Sequence, residues 1–398
     1  MKIIGYNSSH ETSLCQFDSD TWELEFLFEE ERFRRVKQWT PEPPQHQLLC
    51  IEREVIQTPD HFIGCSFDRR AFGDDNMGGL VWNRDYLKYN KKLNRQLLDF
   101  ISQEQMTEDR LIEFNSTFPN VFTEFNLDKL KNCDGQVRDD FLHSTVAEQL
   151  FLEEYVYEIQ HHLYHAECGY WFSPWREKES AIAIVCDGGG AKLYHEKGFP
   201  NYQEVETVYL CQPDTVPEKQ WQRMSNYRYL DMWAGDVFYE ESRERCCSAP
   251  DLVQDMDGVE TVFSSKPSMG QIFSAASLYF GFDRLGRAAG KVMGAASYQK
   301  WYEEGTYFDM TTYSLGNQLQ QKAFDHTCKI IQRAVDKNPD VKNIILSGGY
   351  ALNCTNNAKY LDAFPNHQIF VDPVAHDGGT AVGGAIRLAR ALKHGVEV

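Results

Sequence analysis

His161 and His165 are four residues apart in the stretch Gln160-His161-His162-Leu163-Tyr164-His165-Ala166. On a helix that spacing puts both imidazoles on one face, one turn apart, so both ring nitrogens can reach one metal ion. The preceding stretch from Tyr155 to Ile159 reads as a strand, and a strand-to-helix junction is where an α/β protein places a cofactor. The zinc-hydrolase pattern has Glu directly after the first His as general base. His162 stands there instead, which excludes a metalloprotease. The same spacing also suits surface or satisfied core histidines, so the pair alone leaves both readings open.

A carboxylate with the right neighbours lies far downstream. Asp377 sits in Asp372-Pro373-Val374-Ala375-His376-Asp377-Gly378-Gly379-Thr380, at the mouth of a predicted helix. It suits a helix N-cap, and equally a hard oxygen ligand with His376 nearby. Two histidines and one carboxylate with open positions make the facial triad of non-haem iron. Three further segments suit phosphate. The strand Ile344–Leu346 runs into Ser347, Gly348, Gly349 and a predicted helix reaching Asn353, and paired glycines before a helix let backbone approach an anion. Asp187-Gly188-Gly189-Gly190 offers amides for a phosphate and a carboxylate that can approach a metal, or a plain hairpin turn. Gly290-Lys291-Val292-Met293-Gly294 offers a lysine between glycines, or a surface turn.

The elements that must position these residues are α/β. Lys2–Tyr6, Thr12–Phe17 and Trp22–Glu29 read as strands, with a turn at Asn7–His10. The pattern recurs at Ala181–Cys186, the turn at Asp187–Gly190 and an extended run from Ala191 to Glu196. A repeated strand–turn–strand unit predicts two lobes of like construction, with a cleft suited to a nucleotide. We place the N-terminal lobe at 1–178, with a helical insertion at 40–140 carrying helices Tyr86–Gln105 and Asp139–Glu154. The C-terminal lobe is placed at 179–398, with an irregular insertion at 200–265 rich in Trp, Tyr and acids. Gln271–Phe280, Ser314–Asp336 and Thr380–His394 read as helices, and Lys342–Leu346 and Gln368–Val371 as strands.

Composition narrows the class. The chain has 398 residues, 42% of them hydrophobic and 13% aromatic, which allows sizeable cores. It contains no apolar run of membrane-spanning length, and Met1–Gly5 reads as a strand and not a signal peptide. Eleven scattered cysteines without a Cys-x-x-Cys pair point to reduced thiols in a cytoplasm. A net charge of −19 excludes whole-surface polyanion binding, so any nucleic-acid contact is local. Trp82–Arg95 and Trp221–Tyr229 mix basic and aromatic residues as backbone neutralisation plus base stacking requires, and as an ordinary solvated helix face also would.

Taken together these segments resemble the O-carbamoyltransferase family, which modifies antibiotics and nodulation factors. Asn7–Ser13 resembles its first-strand turn, with Glu11 for the usual Asp. Glu30-Glu31-Arg32-Phe33-Arg34-Arg35-Val36-Lys37 resembles its Glu-Glu-Arg-Phe-x-Arg-x-Lys, and His161–Ala166 its His-His-Leu-x-His-Ala. Gly290–Tyr298 resembles its Gly-Lys-Val-Met-Gly-Leu-Ala-Pro-Tyr, with Ser297 for Pro. Ser347–Asn353 and Asp377-Gly378-Gly379 match the last two segments. The resemblance implies the two-lobed ATPase fold of actin, sugar kinases and chaperone ATPases, built from duplicated RNase H-like lobes. It implies an iron-type metal on His161, His165 and Asp377. It implies ATP, with magnesium as an option, near Asp187, Gly188, Gly189, Gly190, Lys291, Gly348, Gly349 and Asn353. It places His10, Arg35 and Lys37 near the reacting group, with His10 as candidate base.

The implied reaction moves a carbamoyl group from carbamoyl phosphate, through a carbamoyl-adenylate made with ATP, to an acceptor hydroxyl. Two-domain family members make the adenylate in a second domain. Here the sequence stops at Val398, so a separate adenylate-forming protein is one expectation and a single domain performing both steps is the other. Short members resemble phage enzymes that carbamoylate hydroxymethylcytosine in DNA, which would place the chain in a host cytoplasm. The rival acceptor is a small hydroxylated metabolite such as an antibiotic or sugar. Threonylcarbamoyl-type tRNA modification is a third reading, and a non-catalytic nucleotide-binding subunit a fourth.

Overall fold

A computed structural model of the chain describes residues 1–8, 11–34, 61–67, 156–157, 160–190, 192–193, 202–225, 251–256, 258–264, 266–279, 288–295 and 310–395. The helices expected at Tyr86–Gln105 and Asp139–Glu154, the segment Trp82–Arg95, and His10, Arg35 and Lys37 lie outside these residues. Two compact units divide the chain. One comprises residues 1–164, 191–201 and 377–398, the other residues 165–190 and 202–376.

The first unit is built on a five-stranded sheet of β1 (Lys2–Ser8), β2 (Ser13–Asp18), β3 (Glu23–Glu29), β4 (His61–Phe67) and β5 (Val156–Tyr157), in the order β3-β2-β1-β4-β5. The short helix α1 (Glu30–Arg34) follows β3. β1, β2 and β3 form an antiparallel meander, and β4 and β5 continue parallel to β1. β1 and β2 bury Ile3, Ile4, Tyr6, Leu14, Cys15 and Phe17, and the β-branched Ile3 and Ile4 and aromatic Tyr6 and Phe17 among them suit a central strand pair. The helix Thr380–His394, named α7 below, covers β1, β2 and β4 with Ala381, Val382, Ala385, Ile386 and Ala389. Helix and strand touch at backbone distance. A Cβ on Gly5 would sit 2.0 Å from the Ala381 carbonyl oxygen. Gly5→Ala is therefore expected to destabilise the protein by about 1–3 kcal/mol or more, because the obstacle is main chain and cannot rotate away. A thermal midpoint equal to that of the unaltered protein would contradict this.

The second unit begins inside helix α2 (His161–Phe172), which starts in the first. β6 (Ala181–Cys186) and the two-residue β7 (Lys192–Leu193) follow, then β8 (Tyr202–Cys211), β9 (Glu218–Ser225), β10 (Leu252–Met256) and β11 (Val259–Ser264). Next come α3 (Met269–Tyr279), α4 (Ala289–Ala295), the 28-residue α5 (Met310–Lys337), β12 (Asn343–Ser347), α6 (Cys354–Ala363), β13 (Gln368–Val371) and finally α7. The sheet order is β10-β11-β9-β8-β6-β12-β13. β6, β8 and β9 are antiparallel in sequence, and β12 and β13 run parallel to β6. The stretch β9-β8-β6-β12-β13 thus repeats strand for strand, in order and direction, the β3-β2-β1-β4-β5 sheet of the first unit. This repetition is a duplicated α/β architecture, one sheet of like topology in each unit. β6 and β12 are buried along their whole length, as strands covered on both faces must be. Ile182, Ile184, Ile344 and Leu346 meet Phe273, Val292, Ile331 and Tyr360 in one core.

One reading is corrected. Residues 200–265 are not irregular where described. They supply β8, β9, β10 and β11 of the sheet. The acids of the expected irregular insertion include Glu204 and Glu206, which are 3% and 0% exposed. Fully buried carboxylates are rare, so a sequence rule assigns them to solvent. Arg223, offered as part of a nucleic-acid-facing segment, is the buried partner of Glu206. Its guanidinium does not face solvent, and Trp221 beside it is 7% exposed. Among the described residues no helix is long and apolar enough to cross a membrane.

Candidate functional site

In the first unit the Asp377 loop is held by the end of β1, the turn after it and the start of β2. Asn7 Nδ2 donates to the Asp377 carbonyl at 2.9 Å, the Asp377 N–H donates to Glu11 Oε2 at 3.0 Å, and Ser13 Oγ donates to the Gly378 carbonyl at 2.8 Å. Asp377 does not cap α7. The cap is Gly379, with no side-chain hydrogen bond, and Asp377 lends only its carbonyl to Thr380 Oγ1. Its carboxylate turns instead to the first residue of α2, and Asp377 Oδ1 lies 3.4 Å from His161 Nε2. Gly383 makes this approach possible. A Cβ there would sit 1.9 Å from the Tyr164 carbonyl oxygen, so the first turns of α2 and α7 meet main chain to main chain. His161 is 4% and Asp377 6% exposed.

In the second unit the end of β6 and the end of β12 come together. Gly348 has φ +85°, and a Cβ on it would lie 2.4 Å from the Cys186 carbonyl oxygen. Only glycine meets both conditions. The Gly349 N–H then donates to Asp187 Oδ1 at 3.0 Å. The Gly190 N–H donates to the Glu204 carbonyl at 2.7 Å, so two of the glycine amides are committed within the protein. Helix α3 opens with a reciprocal cap. Ser268 Oγ accepts from the Gln271 N–H at 3.0 Å, and Gln271 Oε1 accepts from the Ser268 N–H at 2.8 Å. A Cβ on Gly270 would lie 2.7 Å from the Gly188 nitrogen, which sets the start of α3 directly on the glycine turn.

Asp187 also reaches the histidine chemistry. Asp187 and His165 each offer a ligand atom, and the two lie within 4.8 Å of each other. His165 is fully buried. Cys168 Sγ, further along α2, and Ser347 Oγ, at the end of β12, face the carboxylate of Asp372 at 3.8 and 2.7 Å, and the Val374 N–H donates to it at 2.9 Å. Burial pushes the Asp372 carboxyl above its usual range, against those hydrogen bonds and the nearby His165. Sequence reasoning did not select Asp372, Asn7 or Gly383. Their only signal was position, next to a strand end, a first-strand turn and a small-residue helix start.

The remaining predicted residues divide. Lys291 lies on α4, a short helix where a turn was an option, and is exposed. Asn353 is buried and does structural work. Its Oδ1 accepts from the Asn356 N–H at 3.4 Å to cap α6, and its Nδ2 donates to Gln320 Oε1 at 2.7 Å. Gln320 in turn donates to the Met293 carbonyl of α4 at 2.9 Å, which ties the helix carrying Lys291 to the helix that follows Gly348-Gly349.

Comparison with known proteins finds similarity to one family over part of the chain. Residues 319–386 match the family model described as carbamoyltransferase N-terminus. A stretch of 72 residues, 18% of this chain and 11% of the relative, is 36% identical to the nodulation protein NolNO of Sinorhizobium fredii. Full-length HypF in its phosphate- and nucleotide-bound form aligns over 98% of this chain and 56% of that one, with 12% identity and a TM-score of 0.44. The activator of 2-hydroxyisocaproyl-CoA dehydratase from Clostridium difficile, solved with bound ADPNP, aligns over 100% of this chain and 99% of that one, with 10% identity and a TM-score of 0.35.

Proposed function

We propose that this chain is a carbamoyltransferase, which transfers a carbamoyl group from carbamoyl phosphate to an acceptor hydroxyl, with ATP bound and a carbamoyl-adenylate as the activated donor. The observation that carries the reading is the family match over residues 319–386, because that stretch contains both Gly348-Gly349 and Asp377. The chain spans about half of the HypF chain and the matched stretch a small part of NolNO, so the activity is our reading of this chain alone.

His161, His165 and Asp377 are our metal ligands, with Asp187 beside His165. The fit rests on donor chemistry. Two imidazoles and two carboxylates, all buried, suit a divalent first-row ion, and iron is our assignment on the family resemblance. Such an ion, when bound, supplies Lewis-acid polarisation of a carbonyl or phosphoryl oxygen. The chain's own groups do the rest. The amides of Gly188, Gly189 and Gly348 and the Lys291 ammonium take the nucleotide phosphates, while Asp187 orders the Gly348-Gly349 backbone through the Gly349 N–H. His10, Arg35 and Lys37 address the carbamoyl group and the acceptor, with His10 taking the acceptor proton.

The acceptor we take forward is hydroxymethylcytosine in DNA, on the strength of the basic and aromatic residues in Trp82–Arg95. The protein is incubated with carbamoyl phosphate, ATP and hydroxymethylcytosine DNA, and the nucleosides are weighed by mass spectrometry. A gain of one carbamoyl group on the modified nucleoside is expected. A gain only on small hydroxylated compounds replaces the acceptor. No gain on any acceptor, even with an added adenylate-forming protein, overturns transfer itself.

A further inference from the structure

We infer that Glu11 is a positioning residue for the metal carboxylate, acting through the main chain of Asp377; the inference rests on the metal reading above. Both main-chain polar groups of Asp377 are taken by the end of β1 and the turn after it, its N–H by Glu11 Oε2 at 3.0 Å and its carbonyl by Asn7 Nδ2 at 2.9 Å. Asn7 Nδ2 also donates to the Glu11 carbonyl at 3.0 Å, so the two clamping residues brace each other. A residue gripped at both peptide groups has little freedom in φ and ψ, and its carboxylate direction is then set by χ1 and χ2 alone. That direction is toward His161, 3.4 Å away.

The second unit uses the same device. Asp187, which follows the first strand of that sheet as Glu11 follows β1, accepts the Gly349 N–H at 3.0 Å. In each unit a carboxylate after the first strand accepts a main-chain N–H from a loop distant in sequence. The longer Glu side chain in the first unit reaches from the turn to Asp377, and an accepting oxygen is all the contact requires. The role therefore predicts a sharp difference between two variants. Glu11→Ala removes the acceptor, while Glu11→Gln keeps an acceptor and removes only the charge.

The test is calorimetric titration of the full chain with Fe2+ under anaerobic conditions, and with Zn2+ in a second series, alongside the thermal midpoint of the metal-free protein. Loss of a group that orients a metal ligand typically weakens binding about 10- to 100-fold. Glu11→Ala is expected to fall in that range with a metal-free midpoint close to that of the unaltered chain, and Glu11→Gln to bind within about threefold of it. Undiminished binding by Glu11→Ala overturns the positioning role and leaves the metal reading standing. Equal loss in Glu11→Gln also overturns it, because charge and not the hydrogen bond would then be the cause. If the unaltered chain binds neither ion, the metal reading falls and this role with it.

Discussion

Metal binding is expected to fall by at least about 100-fold, and carbamoyl transfer to background, when His161, His165 or Asp377 loses its donor atom, since even outer groups of a metal site cost 10- to 100-fold. Asp377→Asn is the most informative change. It keeps size and hydrogen-bonding capacity, and the Asp377 main chain keeps its bonds to Asn7 and Glu11. The loss is then one of charge and ligand strength. His161→Ala and His165→Ala remove a buried ring each and leave cavities, so a drop in stability of about 2–4 kcal/mol accompanies the loss of metal. His161→Gln, which fills more of the space, separates the two effects. Metal content is read by elemental analysis after anaerobic reconstitution, and folding by far-ultraviolet circular dichroism. Asp377→Asn with full metal and full activity would refute the ligand assignment. A purely structural His161–Asp377 contact predicts that outcome, since Asn can still accept from an imidazole N–H.

The duplication was legible early because it rests on the strongest local signals. The apolar runs Ile3–Tyr6, Ala181–Cys186 and Ile344–Leu346 are strands in the structure. The i, i+4 spacing of His161 and His165 placed both on one helix, and the structure makes that helix α2. What sequence could not give was long-range pairing. Asp377 meets His161 only because Gly383 lets two helices touch, and nothing local to Gly383 says which carbonyl it will face. The clamp on Asp377 joins residues some 366 positions apart, from Glu11 to Asp377. Residues 200–265 failed for the complementary reason. Glu206 reads as a solvent residue until Arg223, on the neighbouring strand, is known to neutralise it.

That buried pair carries the second large effect. Glu206 is fully buried; its Oε1 accepts from Arg223 Nη2 at 2.7 Å, its Oε2 is bonded by Arg223 Nε, and His326 Nε2 lies 3.1 Å from the same oxygen. Replacing Glu206 with Gln leaves the Arg223 guanidinium buried without a counter-charge, and is expected to cost about 3–5 kcal/mol. Changing both residues to apolar side chains of similar volume should recover much of that loss, because neither charge then needs solvation. Function should suffer with stability. Arg223 also donates to the carbonyls of Lys266 and Pro267 at 3.2 Å, just before the Ser268 cap of α3, and α3 rests on Gly188 of the glycine turn. Nucleotide affinity is therefore expected to fall in Glu206→Gln even at temperatures where the chain stays folded. The pH dependence fixes the sign. Burial acts against the Glu206 charge most strongly, but Arg223 and His326 together outweigh it and hold the carboxyl well below the usual carboxylate range. Its stabilising contribution is fully present above the unfolded value of about 4.3 and is lost as pH falls below that toward the depressed folded value. Urea midpoints measured from pH 7 down to pH 3 should thus show the unaltered chain losing its advantage over Glu206→Gln only in the acid range. A gap between the two that stays constant to pH 3, or that closes near neutrality, would mean that the carboxylate charge is not what Arg223 requires.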